Sequence, residues 1–170
     1  MQTKNKASAH RFHTSGTRQN AVSRETAPII PFGEKGPTAQ GQPERFAFSV
    51  PGKLPSLNDF IRVERANRFA AASLKRRAHE QVLDALGEHP SFTGPVTVLF
   101  AWYRPDKRTD KDNVAFAKKF VLDALQVAGV IPNDTWNLCT PYDTAFGIDR
   151  ANPRTEITIT ADEETGEIHG

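Results

Sequence analysis

The sequence predicts a small α+β domain: a mixed sheet of about four strands, in the order β-α-β-α-β-β, with two helices packed on it. Three observations carry that prediction. Residues 96–104, VTVLFAWYR, form the β-branched and aromatic run of a buried strand, and residues 154–160, RTEITIT, alternate cleanly as a half-buried one. Apolar residues recur at helical spacing from Ala71 to Leu86 and again from Val114 to Ala128. Glycine and proline stand between these segments, where turns are needed.

Taken in order, FAFSV at 46–50 alternates as a first strand, and Pro51-Gly52 ends it. Ser56 and Asn58 are candidate N-caps for the first helix, which Gly87 and Pro90 close. Gly94-Pro95 opens the strand at 96–104, and Pro105 ends it. The second helix is expected over 112–128, with Val114, Ala117, Val121, Leu125 and Ala128 on one face and Phe116, Phe120, Ala124 and Val127 widening it. Gly129 stands where a helix C-terminus expects a glycine. Pro132-Asn133-Asp134 has turn chemistry, residues 136–142 suit an edge strand, and residues 154–160 suit the last strand.

The chain has 170 residues, which suits one domain better than two. Residues 1–44 are rich in polar residues, Gly and Pro and poor in periodic hydrophobics, which predicts a disordered arm. Its first 24 residues carry Lys4, Lys6, Arg11, Arg18 and Arg24 and no acid. The folded domain is expected over 45–161. Residues 162–170 read as an acidic tail, with Asp162, Glu163, Glu164 and Glu167. The formal net charge is only +2, so the chain is not a general nucleic-acid sponge. The single Cys139 excludes a disulfide framework and a multi-cysteine zinc site, and suits the cytoplasm. No apolar run is long enough to span a membrane and no secretory signal is visible.

The stretch RTDKDN, residues 108–113, carries the chemistry. Asp110 and Asp112 stand two residues apart among Lys107, Arg108 and Lys111, between the strand at 96–104 and the helix that follows. Asp134 lies in the turn beyond that helix. A straight helix over 112–128 is about 24 Å long, so Asp134 reaches Asp112 of its own chain only if the chain folds back. On a helical wheel Lys119 and Asp123 each fall about 20° from Asp112, which makes a polar stripe on an otherwise apolar helix. Hard divalent cations prefer carboxylate oxygens, and magnesium typically takes one or two of them together with waters and a phosphate. The alternatives are structural: Asp112 as an N-cap, Asp110 and Asn133-Asp134 as turn residues. The EF-hand pattern fails for want of its glycine and terminal glutamate, and no glycine-rich phosphate loop is present. His79, His89, His10, His13 and His169 have no evident catalytic partner in the sequence. Arg62, Arg65, Arg68, Lys75, Arg76 and Arg77 crowd the first helical region. They suit either a solvated face or a phosphate-contacting surface.

The runs RTDKDN and KKFVLDALQVAGVIPND resemble the RusA family of Holliday junction resolvases, which are common in phages and prophages. The likeness covers roughly residues 46–160 and is specific from about 104 to 135. It implies a homodimer that binds a four-way DNA junction in recombination and repair, and makes paired nicks with Mg²⁺ or, as a substitute, Mn²⁺. Asp110 and Asp112 match the family's first two catalytic, metal-binding aspartates, and Asp134 matches the third. Asn133 replaces the acid that usually precedes it. Counting back from Asp123-Ala124-Leu125, the active-site lysine falls on Lys119. The spacing from Asp112 to that lysine is three residues longer here than in the best-known members, which leaves Lys118 as the other candidate. The expected DNA contacts are Lys107, Arg108 and Lys111, with Arg62, Arg65, Arg68, Lys75 and Arg76 behind them. A cytoplasmic enzyme of a bacterial or phage-infected cell is implied. The alternative is a branched-DNA-binding module that keeps the fold without catalysis.

Overall fold

A computed structural model describes residues 43–162. The expected disordered arm and most of the acidic tail lie outside the described residues. The elements are β1 (Arg45–Pro51), α1 (Leu57–Ala66), α2 (Arg68–Leu86), β2 (Val96–Arg104), α3 (Lys111–Ala115), α4 (Lys118–Val127), β3 (Cys139–Ile148) and β4 (Arg154–Ala161). They form the α+β architecture that the sequence predicts, with one mixed four-stranded sheet in the order β1-β4-β2-β3. β4 pairs antiparallel with β1 and β2. β2 and β3 are parallel, because α3 and α4 carry the chain back before β3 begins.

One sheet face is the core. Phe100 and Trp102 of β2, Ile157 and Ile159 of β4, and Val50 of β1 are buried on it. Val82 of α2 and Val121 and Leu125 of α4 are buried with them in one cluster. Each such side chain removed from water contributes roughly 1.5–3 kcal/mol. Phe60 of α1 joins the cluster through Phe116 and Phe120, with ring centroids 5.7 and 6.2 Å away.

Each of the two expected helices is split. The first breaks at Asn67, whose backbone is extended (φ −165°, ψ 119°). Asn67 ends α1 by donating its N–H to Val63 O, and its side chain caps α2 by accepting from Phe69 N. The apolar spacing hides the break, because α1 places the partly buried Phe60 against the core that α2 covers with Ala78, Val82 and Leu86. Ser56, not Asn58, is the N-cap of α1, in a reciprocal capping box with Asp59. The second expected helix begins at Lys111 rather than at 112, with Asp110 in the N-cap position and no side-chain cap bond. It breaks between α3 and α4, where Ala117 N, Lys119 N and Phe120 N donate to carbonyls three residues back. That tighter winding departs from the straight helix on which the wheel was drawn, while the Lys119–Asp123 part of the predicted stripe is present, at 3.3 Å.

Other punctuation falls as expected. Gly129 has φ +75°. It donates to Gln126 O at 3.0 Å while Val130 N donates to Leu125 O at 2.9 Å, which is a Schellman closure of α4. β3 is an edge strand, as predicted, but runs over Cys139–Ile148 rather than 136–142. Polar and exposed positions in its middle concealed its length from the alternation test. Asp162 is tied to the sheet: its N–H donates to Pro95 O and its carboxylate accepts from Thr97 Oγ1 at 2.7 Å. No helix among the described residues is long and apolar enough to cross a membrane.

Candidate functional site

β2 ends at Arg104, and the loop 105–110 leads into α3. A cleft of about 300 Å³ opens there. Its apolar lining comes from Trp102, Val114, Phe146 and Ile148, and its charged lining from Arg104, Lys107 and Lys111 with Asp106 and Asp110. Asp110 and Asp112 are both exposed. Among the described residues neither carboxylate has a side-chain hydrogen bond or ion pair, although basic residues surround them. Arg108 instead turns to Asp106, which accepts its backbone N–H at 3.0 Å. Lys111 places its ammonium over the Phe146 ring, 5.5 Å from the centroid.

A second cleft of about 220 Å³ adjoins, lined by Lys53, Asp59, Arg62 and again Arg104. Arg104 therefore belongs to both clefts. Its guanidinium donates to Leu54 O at 3.2 Å. Burial lowers its pKa, and nearby Asp59 and Asp106 oppose that. Burial pushes the Asp59 carboxyl up, but hydrogen bonds from Ser56, with Arg62 and Arg104 nearby, outweigh it and hold Asp59 below its ordinary range. Arg104 stands at the strand end, where sequence reading saw only a strand terminus. Its shared position comes from the segment before α1, whose Leu54 O accepts from the guanidinium across fifty residues of chain, which no local pattern reports.

Asp134 is not beside Asp110. It lies on the loop before β3, near enough to Cys139 to help raise that thiol. Cys139 pairs with Val96 at the start of β2, whereas Asp110 follows the end of β2. A nine-residue strand spans roughly 26 Å between those ends. The chain does return along α4, but as β3, and the acid it brings back is Asp143. That residue faces Phe100 across the β2–β3 pairing. A bulge follows, in which Thr144 is the extra residue and its hydroxyl donates to Phe100 O at 3.0 Å. The bulge keeps Asp143 and Phe146, three residues apart, on the same sheet face, which an unbroken strand forbids. That is why sequence alternation missed both.

The two lysines diverge. Lys118 donates to Asp143 Oδ2 at 2.7 Å, and Trp102 Nε1 donates to Asp143 Oδ1 at 2.8 Å. Lys119 faces α2 and meets Asp123 at 3.3 Å. Asp123 also receives Lys75 at 2.7 Å. Burial raises the Asp123 carboxyl, but Lys75 and Lys119 more than reverse that and hold it below its usual range. His79 Nε2 is buried without a hydrogen bond, 3.8 Å from Asp123 Oδ2, which is too long for one. Burial first, then Lys75 and Lys119, depress the His79 pKa against the pull of Asp123.

The basic residues of the first helical region are not equivalent either. Lys75 is committed to Asp123, Arg62 to Asp59 at 3.0 Å, and Arg76 weakly to Glu80 at 3.7 Å. Arg65, Arg68 and Arg77 have no ion pair among the described residues. Arg68 lies over Phe69, which is 74% exposed. Trp136, beside Asp134 on its loop, is 95% exposed.

The carboxylate pair has the donor type that magnesium takes, and its basic surroundings suit an anionic ligand sharing the ion. Among the described residues no group of three or more His, Cys, Asp and Glu side chains gathers. Asp110 and Asp112 offer two unpaired carboxylates two residues apart in the chain, and Asp134 of the same chain is not gathered with them. No protein-family model matches this chain, and no curated protein matches its sequence.

Proposed function

We propose that the chain is a metal-dependent, structure-specific endodeoxyribonuclease acting on four-way DNA junctions. The observation that carries this reading is the uncommitted Asp110 in the lining of a cleft that also holds Arg104, Lys107 and Lys111, with the equally uncommitted and exposed Asp112 two residues on. The likeness of RTDKDN and the following helix to the RusA family supports it. Asp110 and Asp112 hold one Mg²⁺, with Mn²⁺ as a substitute. When bound, the ion supplies Lewis-acid activation of the phosphoryl oxygen.

The chain's own groups do the rest. Arg104, Lys107 and Lys111 hold the incoming phosphate by charge, and their number offsets its approach to two carboxylates. Arg65, Arg68 and Arg77 are free to meet the backbone of a flanking duplex arm. Lys118 takes the lysine's role in preference to Lys119. What supports Lys118 is its anchorage through Asp143 to Trp102, a floor residue of the cleft, while Lys119 is turned toward α2. A homodimer, in which each copy nicks one strand, suits the paired cuts that resolution needs. If Asp134 takes part, it does so from the second copy.

The reading is tested by incubating the protein with a labelled four-way junction and a matching linear duplex, in Mg²⁺, in Mn²⁺ and with chelator. Paired nicks on the junction alone, in either metal, are expected. The distance of Asp134 from the pair favours the second reading, a junction-binding module without catalysis. Retention of the junction on a gel without nicks in either metal identifies it.

A further inference from the structure

The cleft beside Asp110 is more than a phosphate site. Phosphate contacts need only a charged surface, yet this recess has an apolar floor with two aromatic side chains. Trp102 is 1% exposed, stacked on Phe100 at 5.5 Å and held by Asp143, so it is fixed as a wall. Phe146 is only partly buried, and with Ile148, 45% exposed, it presents apolar surface to solvent at the strand edge. Leaving such surface open around a charged rim is costly unless something covers it. The volume, about 300 Å³, lies at the small end of ligand-binding cavities.

We propose that this cleft receives one unpaired nucleotide of the bound DNA. Its base lies against Phe146, and its phosphates lie against Lys107, Lys111 and Arg104. The charge pattern selects this occupant over an apolar peptide, which would bring no anion to Lys107 and Lys111, neither of which has an ion pair among the described residues. Stacking on an aromatic ring suits any base, because every base has a π-face. Lys111, already over the Phe146 ring, is placed to follow the phosphate when the base takes the ring face. The inference rests on the nuclease reading for its location next to the scissile phosphate. A four-way junction supplies suitable nucleotides, since base pairs at its crossover open most easily. Cleavage then depends on a base leaving its stack beside the cut.

The test uses the full chain, with Phe146→Leu to remove the aromatic face and keep apolar bulk, and Phe146→Tyr to restore it. Four-way junctions carry 2-aminopurine at each position flanking the crossover, and Ca²⁺ replaces Mg²⁺ to hold the complex uncut. With each protein at a concentration that saturates the junction by gel shift, the wild type and Phe146→Tyr raise the fluorescence at one flanking position, and Phe146→Leu does not. A second arm titrates a single-stranded tetranucleotide, and Phe146→Leu weakens it about tenfold. Equal fluorescence in Phe146→Leu and wild type overturns the proposal. So does no rise at any position on a junction that is bound and nicked, and that outcome leaves the nuclease reading standing. If the junction is neither bound nor nicked, the nuclease reading fails. The tetranucleotide arm then decides alone: no binding, or binding indifferent to Phe146, overturns the cleft.

Discussion

Lys118 Nζ donates to Asp143 Oδ2 at 2.7 Å, so a lysine of α4 and an acid of the bulged edge strand β3 form an ion pair. Both side chains are 24% exposed. The second oxygen of Asp143 holds Trp102 Nε1, which makes Asp143 the joint between helix, edge strand and the floor of the cleft. Asp143→Ala leaves a largely buried ammonium and a buried indole N–H unpartnered, and is expected to cost about 2 kcal/mol. Asp143→Asn retains an acceptor for Trp102 and should cost about half as much. Urea midpoints at constant slope check the order; equal losses in the two variants contradict it.

Acidification should weaken the fold in two windows. His79 has a pKa below its ordinary 6.5 in the folded chain, so its contribution is complete above about 6.5 and is lost as pH falls from there through the depressed value. Asp123 is also depressed, from 3.8, so its contribution persists until pH drops below that value. Folding free energies measured between pH 7.5 and 5 should fall for the wild type and fall less for His79→Gln. Parallel profiles contradict the assignment of the upper window to His79.

Cys139 should be inert in the folded chain. Burial, with Asp134 and Asp162 nearby, pushes its thiol from 9.0 up to about 11, which leaves roughly a hundredfold less thiolate at neutral pH. A thiol-exchange reagent at pH 8 is expected to react with the native protein slowly and with the urea-unfolded protein at once. Equal rates contradict the buried placement.

Junction affinity should separate the free cations from the paired ones. Arg65→Ala and Lys107→Ala each remove a candidate phosphate contact, and each should lower the salt slope by about 1. Lys75→Ala acts on Asp123 and should show in thermal stability before it shows in binding. Titrations at several salt concentrations measure the slopes; no change in Lys107→Ala sinks the phosphate role of the cleft rim.

The α+β class, all four strands and the closure at Gly129 were legible because they rest on local signals: alternation, β-branched runs and a glycine at positive φ. Asp110 and Asp112 were legible as a pair because they adjoin a strand end. The rest depends on contacts distant in sequence. The break at Asn67 replaces one helix by two with the same apolar spacing. The short-range bonds around Ala117 break the second helix in two without interrupting its apolar spacing. The bulge at Thr144 brings Asp143 and Phe146 to one face against the alternation rule. Arg104 gains its place only when Leu54, fifty residues earlier, comes to accept from its guanidinium. None of these leaves a mark in periodicity.

The proposed function makes Asp110 and Asp112 the metal-holding pair of a junction nuclease. Its most direct test compares wild type with Asp112→Asn on one labelled four-way junction, in Mg²⁺, with binding measured on the same samples. The wild type is expected to nick the junction in pairs, while Asp112→Asn binds it at least as well and leaves it intact. Undiminished nicking by Asp112→Asn would rule out a metal-holding role for that carboxylate.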